Sequence, residues 1–108
     1  MDEKRKIYLE AKSRVLKALG HPTRLLIAEE LGRGERCVCE FVEMAGVDYS
    51  TISRHLGVMK QAGLVEDEKR GQKVFYRLRV PCVLNFMECV EKVIRSGAEE
   101  RLRMLERG

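Results

Sequence analysis

No apolar run in this 108-residue chain approaches the roughly 18 residues that a membrane-spanning helix requires. A soluble protein without a membrane partner is therefore expected. The first residues, MDEKRKIYLEAK, also lack the apolar stretch and small-residue cleavage site of a secretory signal, so a cytoplasmic location is expected. Histidine is scarce, with two in the chain, and there is neither a Cys-x-x-Cys motif nor a strand-helix-strand pattern. A thiol enzyme of the oxidoreductase kind is thus a remote reading, because no acid/base constellation is present to serve it. Four cysteines in a reducing compartment make a poor disulfide framework, which leaves metal, redox and plain core roles open. Without repeats, low-complexity stretches or flexible linkers, residues 1–108 read as one small domain.

What the chain does have is charge, unevenly placed. Residues 1–49 carry nine Lys/Arg against nine Asp/Glu, residues 81–108 five against five, and residues 50–80 seven against three. The whole net charge of +4 therefore sits in the middle third. A confined basic excess is the footprint of a surface that meets phosphates.

Hydrophobic spacing supplies the plan. Ile7, Ala11, Val15 and Leu19 form one stripe of a helix from about Glu3 to Leu19. His21-Pro22-Thr23 opens a second helix, with proline where its missing N–H costs nothing, and the helix stops near Gly32 and Gly34. Residues 35–45 predict a third helix closed by Gly46, and Asp48 caps a fourth, Tyr49 to Ala62, stopped by Gly63. Two helices across a short glycine turn make a helix-turn-helix. Alternation then predicts a β-hairpin, with Arg70-Gly71-Gln72 at the turn and Lys73 to Arg79 returning. Pro81 opens a last helix with Val83, Met87, Val90 and Ile94 on one face and Leu102 and Leu105 beyond. The fold class is mainly α with a β-hairpin wing, a winged helix-turn-helix. Two terminal helices with long apolar stripes exceed what so small a core can absorb, which predicts a homodimer through the first and last helices.

On the fourth helix Ile52, Leu56 and Met59 share the core face. Opposite them fall Ser50, Arg54, Gly57 and Gln61, with Ser53 and Lys60 at one edge, a set of hydroxyls, cations and an amide suited to base edges and phosphates in a major groove. Gly57 keeps that face low. His55 falls on a flank and is read as structural. Lys69, Arg70 and Lys73 gather at the hairpin turn, where they would position double-stranded DNA electrostatically.

The stretches HPTRL (21–25), DYSTISRHL (48–56), AGLV (62–65) and GQKVFYR (71–77) resemble the ArsR/SmtB family of metal-responsive repressors, in family order and over nearly the whole chain. The resemblance implies an α-α-α-α-β-β-α winged helix that binds a palindromic operator as a dimer and lets go on binding its inducer. Its recognition helices would meet half-sites roughly 10 bp apart.

Within that family Cys37-Val38-Cys39 resembles the element by which arsenic-sensing members bind their ligand at the start of the third helix, which implies As(III) or Sb(III) as inducer. On a regular helix these two residues would point about 200° apart, so chelation is expected to unwind that turn and pass the distortion across Gly46 to the recognition helix. A third cysteine found in some relatives is Val42 here, and the N-terminal arm has none. The third donor is then water, a small external thiol, Cys82 or Cys89; those two, read as seven apart on the last helix beside Phe86 and Val93, are more simply small residues of the dimer core. No histidine follows His55, which argues against the His-based zinc and nickel sites of other relatives. The nearest rival is a redox or persulfide switch of the same fold, favoured by Arg36 and the helix N-terminus as agents that lower thiol pKa. A winged helix that binds only proteins is a further alternative, set apart by the absence of salt-dependent DNA affinity.

Overall fold

A computed structural model describes residues 1–107. Five helices and a small sheet follow one another as α1 (Glu3–Leu19), α2 (Pro22–Leu31), β1 (Arg36–Cys37), α3 (Val38–Ala45), α4 (Tyr49–Gln61), β2 (Val65–Arg70), β3 (Lys73–Leu78) and α5 (Val83–Arg107). Local chemistry sets most of these boundaries. Asp2 accepts from the Arg5 N–H at 2.8 Å to start α1, and Asp48 does the same for Thr51 at 2.8 Å to start α4. His21 starts α2 by accepting the Thr23 N–H on Nδ1 at 3.0 Å, with Pro22 in the first turn. Gly46 ends α3 at φ 67°, a left-handed conformation that a side chain would strain, and so sets the turn between α3 and α4.

The sheet corrects the sequence-based expectation in one respect. It has three strands, ordered β1-β3-β2 and antiparallel throughout, because Arg36 and Cys37 leave the expected third helix and pair with Tyr76 and Phe75. Helix α3 therefore begins at Val38, and Cys37, extended at φ −76° and ψ 150°, is its N-cap. The Cys37 sulfur accepts from the backbone of α3, and Glu40 reaches back to the Cys37 N–H at 2.7 Å, which completes a capping box. Glu40 three residues after Cys37 was the signal in the sequence; a cysteine is an uncommon residue for the cap.

The core is built by α2, α3, α4 and β2 around Ile27, Phe41, Ile52, Leu56, Met59 and Val65, all fully buried. The first helix contributes Ala18 and Leu19 to it, and α5 contributes Met87. The rest of their apolar stripes stays in solvent, with Ile7 56%, Val93 72% and Ile94 63% exposed. Such faces on one chain are what the sequence assigned to a partner copy. Cys82 lies in the turn before α5, outside the helix where its spacing from Cys89 had placed it, and both thiols are exposed in the single chain.

His55 turns inward from the flank of α4 and packs on His21, with ring centroids 4.4 Å apart. Burial holds its pKa down, and the nearby charges of His21, Arg24 and Arg54 act the same way. A histidine that resists protonation in the folded state leaves the unfolded chain binding more protons. Stability is then full above about pH 6.5, the unperturbed imidazole value, and falls as pH drops through it. Urea midpoints at pH 7.5 and pH 5 should show this acid loss, and it should shrink in His55→Gln; an undiminished loss would discard the assignment. Replacing Glu40 by Ala removes half of the capping box and should cost about 1 kcal/mol, read as a lowered thermal midpoint.

Candidate DNA-reading face and thiol site

Helix α4 presents the face expected of it. Ser50, Ser53, Arg54, Gly57 and Gln61 are exposed, opposite the buried Ile52, Leu56 and Met59. The Ser50 hydroxyl donates to the cap carboxylate of Asp48 at 3.1 Å, which leaves its oxygen as an acceptor. A β-carbon built at Gly57 meets nothing within 4 Å, so this stretch of the helix stands open to an approaching surface. Tyr49, the first residue of α4, is 56% exposed and was not among the residues singled out from sequence; its phenol adds a donor beside the helix N-terminus.

The cations at the edge of this face are differently placed. Lys60 lies 2.9 Å from Asp67 on β2, and that carboxylate raises its pKa. It bridges helix to wing. Lys69 and Lys73 are exposed near the hairpin turn, where Gly71 supplies the left-handed residue at φ 64°. Arg70 is held by carboxylates of Glu35 and Glu68 and lies over the Phe75 ring, and these hydrogen bonds raise its pKa further. Arg77 binds Glu66 at 2.9 Å and lies 3.5 Å from Glu68. The wing is therefore a lattice of paired charges; counting cations alone concealed the part played by Glu35 and Glu68.

The two thiols come together. Cys37 is buried, whereas Cys39 sits exposed in the first turn of α3, and its N–H donates to the Cys37 sulfur at 3.4 Å. The Cys39 thiol is pushed up in pKa, first by its hydrogen bond with Cys37 and then by desolvation, while the Lys73 charge pulls it down. Arg36 does not supply the expected activation: its guanidinium turns to Glu30 at 3.0 Å and Glu40 at 3.4 Å. The expectation that the pair would diverge by 200° also fails, since Cys37 is extended and its sulfur reaches the next turn. Two adjacent sulfurs with one of them at the surface suit a soft, thiophilic ion or a sulfur-centred oxidation. Among the described residues no group of three or more His, Cys, Asp or Glu side chains gathers for a metal.

Comparison with known proteins places this geometry. Residues 21–67 match the model of the family described as bacterial regulatory protein, arsR family. The HTH-type transcriptional repressor SmtB of Mycobacterium tuberculosis is 40% identical over 70 residues, covering 65% of this chain and 52% of that protein, so the chain spans about half of that relative's length. The arsenic resistance transcriptional regulator ArsR1 of Pseudomonas putida is 37% identical over 103 residues, covering 87% of this chain and 77% of that protein. A solved structure from Mycobacterium bovis, a homodimeric winged helix-turn-helix DNA-binding domain of a possible ArsR-family regulator, superposes with a TM-score of 0.78 at 30% identity and covers 93% of each chain. The first two of these relatives are named as transcriptional regulators and the third as a possible one. On its winged helix, its motif order and this level of identity, the chain belongs to the ArsR/SmtB family of winged helix-turn-helix regulators.

Proposed function

We propose that the chain is a cytoplasmic repressor that binds double-stranded operator DNA as a homodimer and is released when As(III) or Sb(III) binds Cys37 and Cys39. The observation that carries the sensing half is the placement of two thiols at the N-cap of α3, the first helix of the helix-turn-helix, where the Cys37 sulfur accepts the Cys39 N–H. The similarity to ArsR1 of Pseudomonas putida supports the choice of ion. Arsenous acid, As(OH)₃, exchanges two hydroxyls for two thiolate sulfurs, and each thiol proton leaves with a hydroxyl as water. The third position on arsenic keeps its hydroxyl or takes a small external thiol, since a third protein donor is not at hand among the described residues of one chain.

The DNA half rests on α4. Arg54 and Gln61 are the side chains of its exposed face able to make paired hydrogen bonds to a base edge, and Ser50 and Ser53 complete it. A palindromic operator follows from two-fold symmetry, with half-sites one helical turn apart. Lys69 and Lys73 add phosphate contacts along the backbone.

A second reading keeps the fold and the DNA face but closes a Cys37–Cys39 disulfide, or takes a sulfane sulfur from a persulfide donor that leaves as its thiol, in place of holding an ion. It is favoured by two neighbouring thiols beside which, among the described residues, no group of three metal-ligating side chains gathers. Disulfide closure gives two electrons and two protons to an oxidant. Arsenite titration separates the two readings: thiolate-to-arsenic absorbance should rise together with release of operator DNA. Arsenite without effect beside full release by a mild peroxide would select the redox switch. Cys37→Ser retains a capping oxygen and should stay folded, yet lose arsenite-driven release; a normal response in that variant would sink the assignment.

For the DNA face, Arg54→Ala should cost about 1–3 kcal/mol of operator affinity and relax preference at one base position. By contrast, Lys69→Ala should weaken all sequences alike and reduce the salt slope by about one. The reverse pattern would exchange their roles.

A further inference from the structure

Glu35 stands immediately before β1 and ties the thiol segment to the wing. Its two carboxylate oxygens accept from the two terminal nitrogens of Arg70, Oε1 from Nη1 and Oε2 from Nη2 at 3.0 Å. Glu68 takes a further bond from Nη2 at 2.8 Å, and the guanidinium carbon lies 4.9 Å from the centre of the Phe75 ring. Phe75 is in turn the partner of Cys37 in the β1–β3 ladder. Residues 35–37 therefore hold the wing twice, once through the side chain of Glu35 and once through the backbone at Cys37.

The planar fork of arginine binds carboxylate and phosphate with the same two donors. Glu35 thus occupies the donors that a DNA phosphate would use. Both cannot hold them in the same geometry. Cys37 also meets two demands at once, because its backbone belongs to the ladder while its sulfur caps α3. An ion bridging Cys37 and Cys39 would take one electron pair of that sulfur and pull it toward Cys39, changing the geometry in which it caps α3.

We propose that the wing is an output of the thiol site, with Glu35 as the positioning residue that couples them: it holds Arg70 in competition with the DNA backbone, and the ion-bound state favours that hold. The coupling half rests on the sensor reading given above; the competition half does not. DNA and ion then oppose one another through Arg70, in addition to any strain passed across Gly46. Sequence inspection missed this route because Glu35 was read as the first residue of a helix.

The test uses the full-length chain and operator-length DNA, with affinity measured by fluorescence anisotropy over a salt series, with and without sodium arsenite. Glu35→Gln keeps size and polarity but weakens the clamp. In the absence of arsenite its salt slope should steepen by about one, as one more cation becomes available to phosphate. With arsenite it should retain the thiolate absorbance, while the factor by which arsenite lowers operator affinity shrinks by about fivefold. Arg70→Gln should show the same reduced arsenite factor, and adding Glu35→Gln to it should change nothing more. A wild-type slope in folded Glu35→Gln overturns the competition, and a wild-type arsenite factor overturns the coupling. Failure of the sensor reading is seen separately, as absence of thiolate absorbance in the unmodified protein; the salt slope then still decides whether Glu35 competes with phosphate.

Discussion

The hydrogen bond from the Cys37 N–H to Glu40, 2.7 Å long, fixes the point where strand becomes helix. On one side of it the backbone is extended and paired with β3; on the other it enters α3 and leads through Gly46 to α4. The residue where the wing's sheet meets the first helix of the helix-turn-helix therefore carries a thiol. A ligand for the sulfur acts at the joint between both DNA-facing elements. On the proposed reading no cavity is needed to sense one ion, because the bond being exchanged is itself a structural one.

Much of the architecture was legible because it rests on local chemistry. Asp48, Pro22, Gly46 and Gly71 each impose a boundary by hydrogen bonding or backbone preference, and the spacing of Ile52, Leu56 and Met59 fixes which side of α4 faces outward. What escaped was non-local. Strand β1 is two residues long and owes its existence to Phe75 and Tyr76, far along the chain, so nothing in residues 35–45 by themselves marks it against a helix. The same holds for charge. Lys60 and Arg70 read as free cations until the fold brings Asp67 and Glu35 to them.

These pairs alter how the basic middle of the chain works. Exposed ion pairs contribute little to stability, typically below about 1 kcal/mol. Their effect here is on availability: a cation already neutralised must exchange partners before it meets phosphate, so binding to arbitrary DNA gains less from it than a charge count implies. On the proposed reading Arg54 and Lys69 then carry more of the encounter with DNA than their number indicates. The wing's acidic residues would then restrain non-specific attraction, which for a regulator searching a long polyanion is as important as the attraction itself.

Gly57 carries the same theme into the recognition helix. A glycine inside an exposed helix sacrifices about 1 kcal/mol relative to alanine. The protein itself derives no packing from this residue, since a β-carbon there would touch nothing. The free fold is therefore less stable than its own space allows, by an amount that only an external surface can make good. Such a position separates two demands that usually coincide, one for a stable domain and one for a close encounter, and on the proposed reading α4 is a helix fitted to the contour of another molecule.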